Sequence, residues 1–455
     1  MLYDSELGNI RIVATGDTML TRRLQPFTEP DFLGLVELIR SADVSLTNLE
    51  TTVRSKEEGF PSASVGTIMT TPPELLEDLK WMGFNLMGTA NNHAGDYCAE
   101  GVLATTRHLK NAGLVYAGSG STLGEARAPA YLDTKAGRVA LVAATSSYPS
   151  HARAGDPRPD SIGRPGISAV AFSKTYQIGP DDFKALQAIK EKLGLSRAQK
   201  RLRAHFFTES EAPADEGNDL AFLGQTFRRS DVSGTTTSVD KEDADSVLKQ
   251  IHEARRRADW VLFSFHNGEL GDAGSEKAQT RADMEEPAAF AVEFARAAID
   301  AGADAVFGHG PHIPLGVEIY KGRPICHSLG DFILQNDTVA SYPLDAYRRF
   351  GLGPDATPAD FLDTRSRNDT KGFAATEGYW RSVVAACEFR NRKLSAVKLY
   401  PVDIGYGKSR AQRGRPLLAR NNVANETLQR IKYLSERYDT VMKIENDVAT
   451  IDIGS

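Results

Sequence analysis

The chain has 455 residues, of which 41% are hydrophobic and 25% charged, and its formal net charge is −6. This composition is typical of a soluble globular protein, and without a long basic run it argues against nucleic acid as a partner. Three cysteines without Cys-x-x-Cys spacing argue against a disulfide framework or a zinc ribbon. Residues 1–10 lack a signal-peptide pattern, and no run of about eighteen apolar residues follows. We therefore expect a cytoplasmic protein with no membrane partner.

Residues 10–149 alternate between short apolar runs and helical patterns. Prolines at positions 72 and 73 predict the start of a helix that Gly83 ends, and a second helix is predicted over 100–112. Strands are predicted over 115–117, 129–132 and 139–144. Such alternation is typical of βαβ units in a parallel or mixed sheet. This segment is interpreted as the first half of an α/β core.

Residues 150–240 have a different character. Gly, Pro, Arg and Asp dominate first, a charged helical stretch follows, and Ser and Thr cluster at the end. The segment is too long for a plain loop, so it is interpreted as a partly helical insertion. It is either a lid over the site or a surface decoration. As a lid, it is expected to direct Arg153, Arg158 and Arg164 toward the site.

Residues 241–335 form the second half of the predicted core, in which two amphipathic helices over 241–258 and 287–301 each lead into an apolar strand. Residues 336–455 are interpreted as an extension that completes the sheet with a hairpin and ends in a helix over 426–438. The extension contains a basic loop with Arg413 and Arg415. That loop is either a solvated surface loop or a clamp for carboxylate or phosphate groups, which the arginine fork suits.

Five apolar runs of the predicted core end on residues that can bind metal ions. Such runs are typical of buried strands, and ligands of α/β sheets bind beyond the carboxyl ends of their strands. Any one of these residues has a simpler explanation, such as a cap or a satisfied core histidine, but five coincident strand ends favour a shared site. The residues are Asp17, Glu50, Asn92, His93, His266, His309 and His312. Mixed carboxylate, amide and imidazole ligands suit one or two Mn²⁺, Zn²⁺ or Fe²⁺ ions.

Around these residues the chain resembles the CapA family, named for poly-γ-glutamate capsule synthesis, within the calcineurin-like metallophosphoesterase superfamily. The resemblance runs from residue 10 to about 335. It rests on Gly16-Asp17, Asn48-Leu49-Glu50, Asn91-Asn92-His93, Phe265-His266, Gly308-His309-Gly310-Pro311-His312 and Ser328-Leu329-Gly330-Asp331-Phe332. It implies an α/β fold, a metallophosphoesterase-like sandwich of two mixed β-sheets flanked by helices, with the insertion added.

The resemblance also implies roles for the strand-end residues. Glu50 would bridge two metal positions, with Asp17 and His312 at one and Asn92, His266 and His309 at the other. His93 would be the acid/base histidine, with Asp17 and His312 as further proton carriers. Two departures from the superfamily affect the site. Met19 stands where a metal-binding histidine is expected, and the last motif is His-Gly-Pro-His rather than His-x-His.

Substrate-binding candidates lie in or beside the same motifs and in the basic loop. They are Arg22, Asn48, Asn91, Asn267, Glu269, His327, Arg413 and Arg415. The expected substrate is a peptide or a small anionic molecule. No oligomeric state is predicted.

Three functions are compatible with the sequence. The first is a metal-dependent hydrolase that acts on an amide, peptide or phosphoester through a metal-activated water. The second is a metal-dependent peptide-tailoring enzyme, a Cα epimerase, which needs two acid/base groups instead of an activated water. The third is a non-catalytic protein of capsule assembly that binds polyglutamate, with the basic loop gripping carboxylates.

Overall fold

The structure is a computed structural model that describes residues 8–63, 67–205, 215, 217–271 and 283–453. The helices are α1 (Pro30–Arg40), α2 (Leu76–Met82), α3 (Cys98–Ala112), α4 (Leu123–Arg127), α5 (Pro180–Lys192), α6 (Leu195–His205), α7 (Lys241–Arg255), α8 (Ala289–Asp300), α9 (Leu344–Arg349), α10 (Pro358–Ser366) and α11 (Asn421–Ser435). Of the described helices, none has the length and hydropathy needed to cross a bilayer.

The strands are β1 (Ile10–Met19), β2 (Val44–Leu49), β3 (Thr52–Val53), β4 (Thr70–Thr71), β5 (Leu86–Gly88), β6 (Val115–Ala117), β7 (Ser119–Gly120), β8 (Ala130–Thr134), β9 (Gly137–Thr145), β10 (Gly166–Ile167), β11 (Phe172–Ile178), β12 (Asp219–Phe222), β13 (Gln225–Arg229), β14 (Gly234–Val239), β15 (Trp260–His266), β16 (Ala305–His309), β17 (Val317–Tyr320), β18 (Arg323–Cys326), β19 (Asp331–Leu334), β20 (Arg381–Arg390), β21 (Lys393–Asp403), β22 (Leu417–Leu418), β23 (Met442–Glu445) and β24 (Val448–Ile451).

Two mixed sheets form the core. The larger has the order β23-β24-β21-β20-β1-β2-β5-β6, with β19 also paired to β1 and β22 to β21. The smaller has the order β17-β18-β16-β15-β9-β8. In the larger sheet β1, β2, β5 and β6 run parallel, and in the smaller one β9, β15, β16 and β18 run parallel. Each sheet therefore has one edge where several carboxyl strand ends meet.

The sheets enclose a continuous apolar layer. Ile12 and Leu46 of the larger sheet belong to the same buried cluster as Leu141, Leu262 and Phe307 of the smaller sheet. A second cluster joins the outer face of the larger sheet to α1 and α2, and a third joins the outer face of the smaller sheet to α7 and α8. This arrangement of helices outside two mixed sheets confirms the predicted sandwich.

A glycine contact fixes the end of β1. β20 pairs with the first half of β1, and β19 runs parallel to its last residues, with Asp17 level with Asp331. At the changeover the amide of Asp17 donates to the carbonyl oxygen of Gly330 at 2.9 Å. A Cβ on Gly16 would lie 1.7 Å from that oxygen. Glycine at position 16 is therefore required for Asp17 to reach its place.

The insertion forms a small layer of its own. Its sheet has the order β12-β13-β11-β14, and Phe172 of β11 stacks on Phe290 of α8 with 4.5 Å between ring centroids. The sheet of the insertion thus packs against α8, on the outer side of the smaller sheet. The first residues of the insertion take another path, since the Nε2 atom of His151 lies 3.1 Å from the carbonyl oxygen of Gly95, close to the carboxyl ends of the core strands.

Most element predictions agree with the structure, with shifted boundaries. A 3-10 turn occupies Pro73–Leu75, so α2 begins at Leu76, and it ends at Gly83 with a φ of 106° as expected. α7 ends at Arg255, and α11 begins at Asn421, earlier than predicted. The predicted hairpin is β20–β21, and its turn residues Asn391 and Arg392 have positive φ. These shifts are of the size that sequence patterns leave open at helix ends.

Candidate metal centre

The strand-end residues meet at one edge of the sandwich. Asp17 lies near the end of β1, and Glu50 follows β2 directly. His266 and His309 are the last residues of β15 and β16, and they are level with each other in the parallel register. Asn92 and His93 lie in the turn after β5. Both sheets therefore contribute side chains to one site.

Two buried carboxylates form the centre of this site. The Oε1 atom of Glu50 lies 3.5 Å from Nε2 of His266, 3.9 Å from Nε2 of His312 and 4.0 Å from Nε2 of His93. The carboxylate of Asp17 lies 3.8 Å from the Nδ1 atoms of both His309 and His312. Asp17, Glu50 and His309 are completely buried. Potential metal ligands thus surround a small space that solvent does not reach freely.

Several atoms of the site are buried without a hydrogen-bond partner. They are both carboxylate oxygens of Glu50, Oδ1 of Asn92, Nε2 of His266, both ring nitrogens of His309 and Oδ2 of Asp331. A buried polar atom left unpaired costs about 1–3 kcal/mol. So many unpaired atoms facing one another fit a divalent cation, which would accept their lone pairs. The residues present therefore fit the metal ion that the sequence predicts.

Asp331 belongs to this cluster, and sequence analysis did not select it as a ligand. Its Oδ1 atom lies 2.8 Å from Nδ1 of His312. Ligand atoms of Asp17, Glu50, His312 and Asp331 all lie within 4.8 Å of one another. Asp331 is the first residue of β19, whereas the predicted ligands lie at or after the carboxyl ends of strands. Its position in the Ser328–Phe332 motif was the available signal.

Neighbouring polar groups orient the carboxylate of Asp17 and the ring of His266. Asn48 donates to Oδ1 of Asp17 at 2.7 Å, and the amide of Gly310 donates to its Oδ2 at 2.9 Å. The hydroxyl of Thr145 lies 3.0 Å from Nδ1 of His266, which leaves Nε2 directed at Glu50. Such outer contacts fix the direction of metal ligands.

His93 is held in a similar way. Its Nδ1 atom lies 2.7 Å from Oδ2 of Asp96, and its amide donates to Oδ1 of Asn91 at 3.2 Å. Asn91 in turn donates to the carbonyl oxygen of Leu49 at 2.9 Å. The turn after β5 is thereby tied to the end of β2, and the Nε2 atom of His93 is left facing Glu50.

Burial and mutual charge set the protonation of the cluster. Burial raises the pKa of Asp17, and the nearby Glu50 raises it further. Burial also acts to raise the pKa of Glu50, but His312, His266 and His93 together lower it to about 2. Burial lowers the pKa of His309 to about 3, assisted by His266. An ionised Glu50 and a neutral His309 are the forms that bind metal.

The loop of the last motif has a strained backbone at His312. His312 has a φ of 63°, and Gly310 has a φ of 102°. A residue with a Cβ in the left-handed region costs roughly 1–2 kcal/mol. His312 adopts this conformation next to Pro311, whose φ is fixed by its ring. With these backbone angles, the imidazoles of His309 and His312 both face Asp17, although the motif contains one residue more than His-x-His.

A cavity of about 400 Å³ opens above the cluster. Asn92, His93 and His312 line it, as does Met19, which stands where the superfamily has a histidine. Part of its wall comes from the junction with the insertion and from the C-terminal extension. This part includes Pro149 and His151 near the start of the insertion, and Asn336, Arg365 and Phe373 from the C-terminal extension.

Four predicted substrate-binding residues contact groups outside the cluster. Arg22 donates to the carbonyl oxygens of Ala411 and Arg413, and Arg415 pairs with Glu29. The guanidinium of Arg413 pairs with Asp337 and Asp369. His327 lies 3.4 Å from Glu318 and beside Tyr438. Arg22 and Arg415 line a different cavity, of about 340 Å³.

The other candidates lie nearer the cluster. Asn48 and Asn91 support it as described above, and Asn267 is buried directly after His266 with its Oδ1 atom unpaired. Glu269 accepts hydrogen bonds from Ser146 and Ser147.

The three arginines expected from a lid do not line the cavity. Arg153 pairs with Asp243 of α7, Arg158 pairs with Asp160, and Arg164 donates to the carbonyl oxygen of Arg153. His151 is the basic side chain that the insertion contributes to the cavity instead. No recognisable motif surrounds His151 in the sequence, so its place at the cavity could not be predicted.

Comparison with known proteins points to one family. A family profile described as "Bacterial capsule synthesis protein PGA_cap" matches residues 11–336. The "Uncharacterized protein y4sH" of Sinorhizobium fredii is 34% identical over 453 residues, which cover 97% of this chain and 92% of that protein. The "PGA biosynthesis protein CapA" of Bacillus subtilis is 23% identical over 70% of this chain and 61% of that protein. The "Capsule biosynthesis protein CapA" of Bacillus anthracis is 22% identical over 72% and 60%.

Proposed function

Because the chain belongs to the bacterial capsule synthesis protein family PGA_cap, we propose that it is a metal-dependent hydrolase of that family. The buried, unpaired ligand atoms between the two sheets carry the proposal. A protein without a metal would gain stability by replacing such atoms with apolar ones.

The proposed ligands are Asp17, Glu50, Asn92, His266, His309 and His312, together with Asp331. Glu50 faces three imidazoles, which come from segments of both sheets. It would therefore be the central ligand of the site. The donor set favours Mn²⁺, Zn²⁺ or Fe²⁺ over Mg²⁺, which prefers oxygen ligands and bound water. When bound, such an ion lowers the pKa of a water molecule and polarises the scissile oxygen. Asp331 adds a carboxylate to a donor set in which Met19 offers no imidazole.

His93 is the proposed acid/base residue. It lines the cavity, and its Nδ1 atom is occupied by Asp96, so Nε2 is the atom available to a substrate. Burial acts to lower the pKa of His93, but Asp96 and Glu50 outweigh it and raise the pKa. A protonated His93 can donate its Nε2 proton to a leaving nitrogen or oxygen.

The proposed substrate contains an amide, peptide or phosphoester bond. Two relatives bear names that refer to PGA biosynthesis and to capsule biosynthesis, so glutamyl amides are the first substrates to test. The cavity is large enough for a few residues of a peptide, at about 400 Å³.

A second candidate function is the epimerisation of a peptide Cα atom. It is favoured by two imidazole–carboxylate pairs that flank Glu50: His93 with Asp96, and His312 with Asp331. Both Nε2 atoms lie about 4 Å from the same Glu50 oxygen. Removal and return of a Cα proton on opposite faces requires two such groups.

One experiment separates the two candidates. The purified protein is analysed for bound metal, loaded with Mn²⁺, and incubated in D₂O with γ-glutamyl peptides, α-linked peptides and an aryl phosphate. New termini or free phosphate support the hydrolase, whereas deuterium at Cα without cleavage supports the epimerase. A protein that binds no divalent metal would contradict both.

A further inference from the structure

Arg365 is the cavity residue whose charge the site chemistry above does not use. It lies near the end of α10 and lines the same cavity as Asn92, His93 and His312. The C-terminal extension thus carries a permanent positive charge to the edge of the candidate metal centre. Sequence analysis did not select it, because no motif surrounds it.

Arg365 has no carboxylate within ion-pair distance among the described residues. Its guanidinium donates a hydrogen bond to the hydroxyl of Thr67. Asp337 is not within ion-pair distance of Arg365, although its charge still acts on the guanidinium. The carboxylate of Asp337 pairs instead with Arg413 at 2.6 Å. By contrast, the nearby Arg410 pairs with two aspartates. Arg410 and Arg413 of the extension are thus neutralised by aspartates, whereas Arg365 keeps a charge that is available to a ligand.

The burial of Arg365 makes this arrangement costly without a partner. Burial lowers the pKa of its guanidinium, which means that water does not fully solvate the charge. Partly buried arginines are generally paired, because an unpaired charge loses solvation without compensation. The side chain has several N–H donors in a planar fork, and a carboxylate or phosphate accepts two of them at once.

We propose that Arg365 binds an oxyanion of the substrate and so directs the reacting bond toward Glu50 and His93. This inference rests on the function proposed above and adds the substrate class. Among its polar groups, the same cavity is also lined by the apolar side chains of Phe373, Met19 and Met69. It suits an aliphatic stem that ends in the anionic group. The shared chemistry is an oxyanion, carried by either a carboxylate or a phosphate.

Anion binding to Mn²⁺-loaded protein tests the proposal without relying on turnover. Glutarate and inorganic phosphate are titrated by calorimetry into the wild type, Arg365→Met, Arg365→Lys and the control Arg348→Met. Arg348 lies on the exposed face of α9, so its loss changes the net charge equally. Loss of charge-assisted hydrogen bonds is expected to weaken binding by about 10- to 100-fold in Arg365→Met. Arg365→Lys should retain part of the affinity, and Arg348→Met all of it.

The two probes distinguish a carboxylate from a phosphate as the anionic group of the substrate. Glutarate should bind more tightly if the aliphatic stem contacts the apolar side chains of the cavity, whereas phosphate has no stem to make this contact. A second measurement uses only the wild type and so avoids variants that fail to fold. Phenylglyoxal, which modifies arginine side chains, should react with Arg365 more slowly when glutarate or phosphate, whichever binds more tightly, is present. Arg348 should react at an unchanged rate. Equal affinity of folded Arg365→Met and wild type, or no binding of either probe to the wild type, would overturn the proposal. Metal content is measured in every sample. A metal-free protein would instead contradict the hydrolase proposal.

Discussion

Replacing Glu50 by glutamine is expected to remove metal binding while the fold is retained. Glutamine has the same shape but no charge, and Glu50 is completely buried with its Oε1 atom 3.5–4.0 Å from three imidazole nitrogens. Its like-charged neighbour Asp17 has a raised pKa partly because of Glu50. Removing the charge relieves the repulsion with Asp17 but also removes the attraction of the three imidazoles in the metal-free protein. In the metal-bound protein it removes the attraction to the cation.

The magnitude follows from the charge that is lost. Two unit charges about 4 Å apart interact by about 4 kcal/mol at an effective dielectric constant near 20. A divalent cation experiences twice that attraction, but desolvation of the carboxylate offsets part of it. Taking the single-charge value as the net effect, Glu50→Gln should raise the Kd for Mn²⁺ by about 1000-fold.

The assay is competition with a chelating dye, combined with thermal unfolding with and without Mn²⁺. Metal that binds only the folded state raises stability by about 2.7 kcal/mol at 100 times its Kd, so Tm of the wild type should rise with Mn²⁺ and Tm of Glu50→Gln should not. Glu318→Gln is the matched control, because Glu318 is a buried carboxylate beside a histidine outside the cluster. A Kd for Glu50→Gln within tenfold of the wild type would refute the reasoning.

Three further predictions test other parts of the argument. His93→Ala should abolish turnover but leave metal content and Tm unchanged, with the exposed His252→Ala as control; loss of metal would make His93 a ligand. Gly16→Ala should prevent stable folding, because its Cβ would overlap a backbone oxygen, whereas Gly353→Ala meets nothing within 4 Å and should keep the wild-type Tm. For Glu58, burial acts to raise the pKa, but hydrogen bonds from His108, Ser55 and Arg107 lower it to about 2. The ionised Glu58 therefore contributes fully to the free energy of unfolding above its pKa in the unfolded chain, and this contribution is lost as the pH falls through about 2. Glu58→Gln should consequently show a smaller acid-induced fall in Tm than the wild type. An identical fall would contradict the role given to these hydrogen bonds.

The sandwich and the core of the site could be predicted because both depend on local patterns. A buried strand appears in the sequence as a short apolar run, so the residue at its carboxyl end can be identified directly. Parallel strands of one sheet end at the same edge, so Asp17, Glu50 and the strand-end histidines had to come close if the strands were assigned correctly. The amide and hydroxyl groups that orient them, such as Thr145, have no pattern of their own. They could be found only from the folded chain.

The arginines illustrate what sequence patterns could not provide. Arg413 and Arg415 were selected because they lie in a conspicuous basic loop, yet the fold supplies carboxylates from distant segments, Asp337 and Glu29, that pair with them. Arg365 has no basic neighbourhood of the same kind and was overlooked, although it reaches the cavity. Whether an arginine has charge available for a ligand depends on ion pairs between remote residues. The sequence lists the charges but not their pairing.

The candidate site is divided between the core and the C-terminal extension. Every proposed metal ligand comes from residues 17–331, inside the region that matches the family, whereas Arg365 and Phe373 come from the segment after it. The chemistry that the family shares would therefore reside in the core, and the selection of a substrate in the segments that cover it. Phe373 contacts His312 edge to face, with 5.3 Å between ring centroids, so the extension also touches the metal cluster directly. Exchanging residues 344–380 between relatives, a segment that carries Arg365 and Phe373 and precedes β20, should change substrate preference and KM while metal content stays the same.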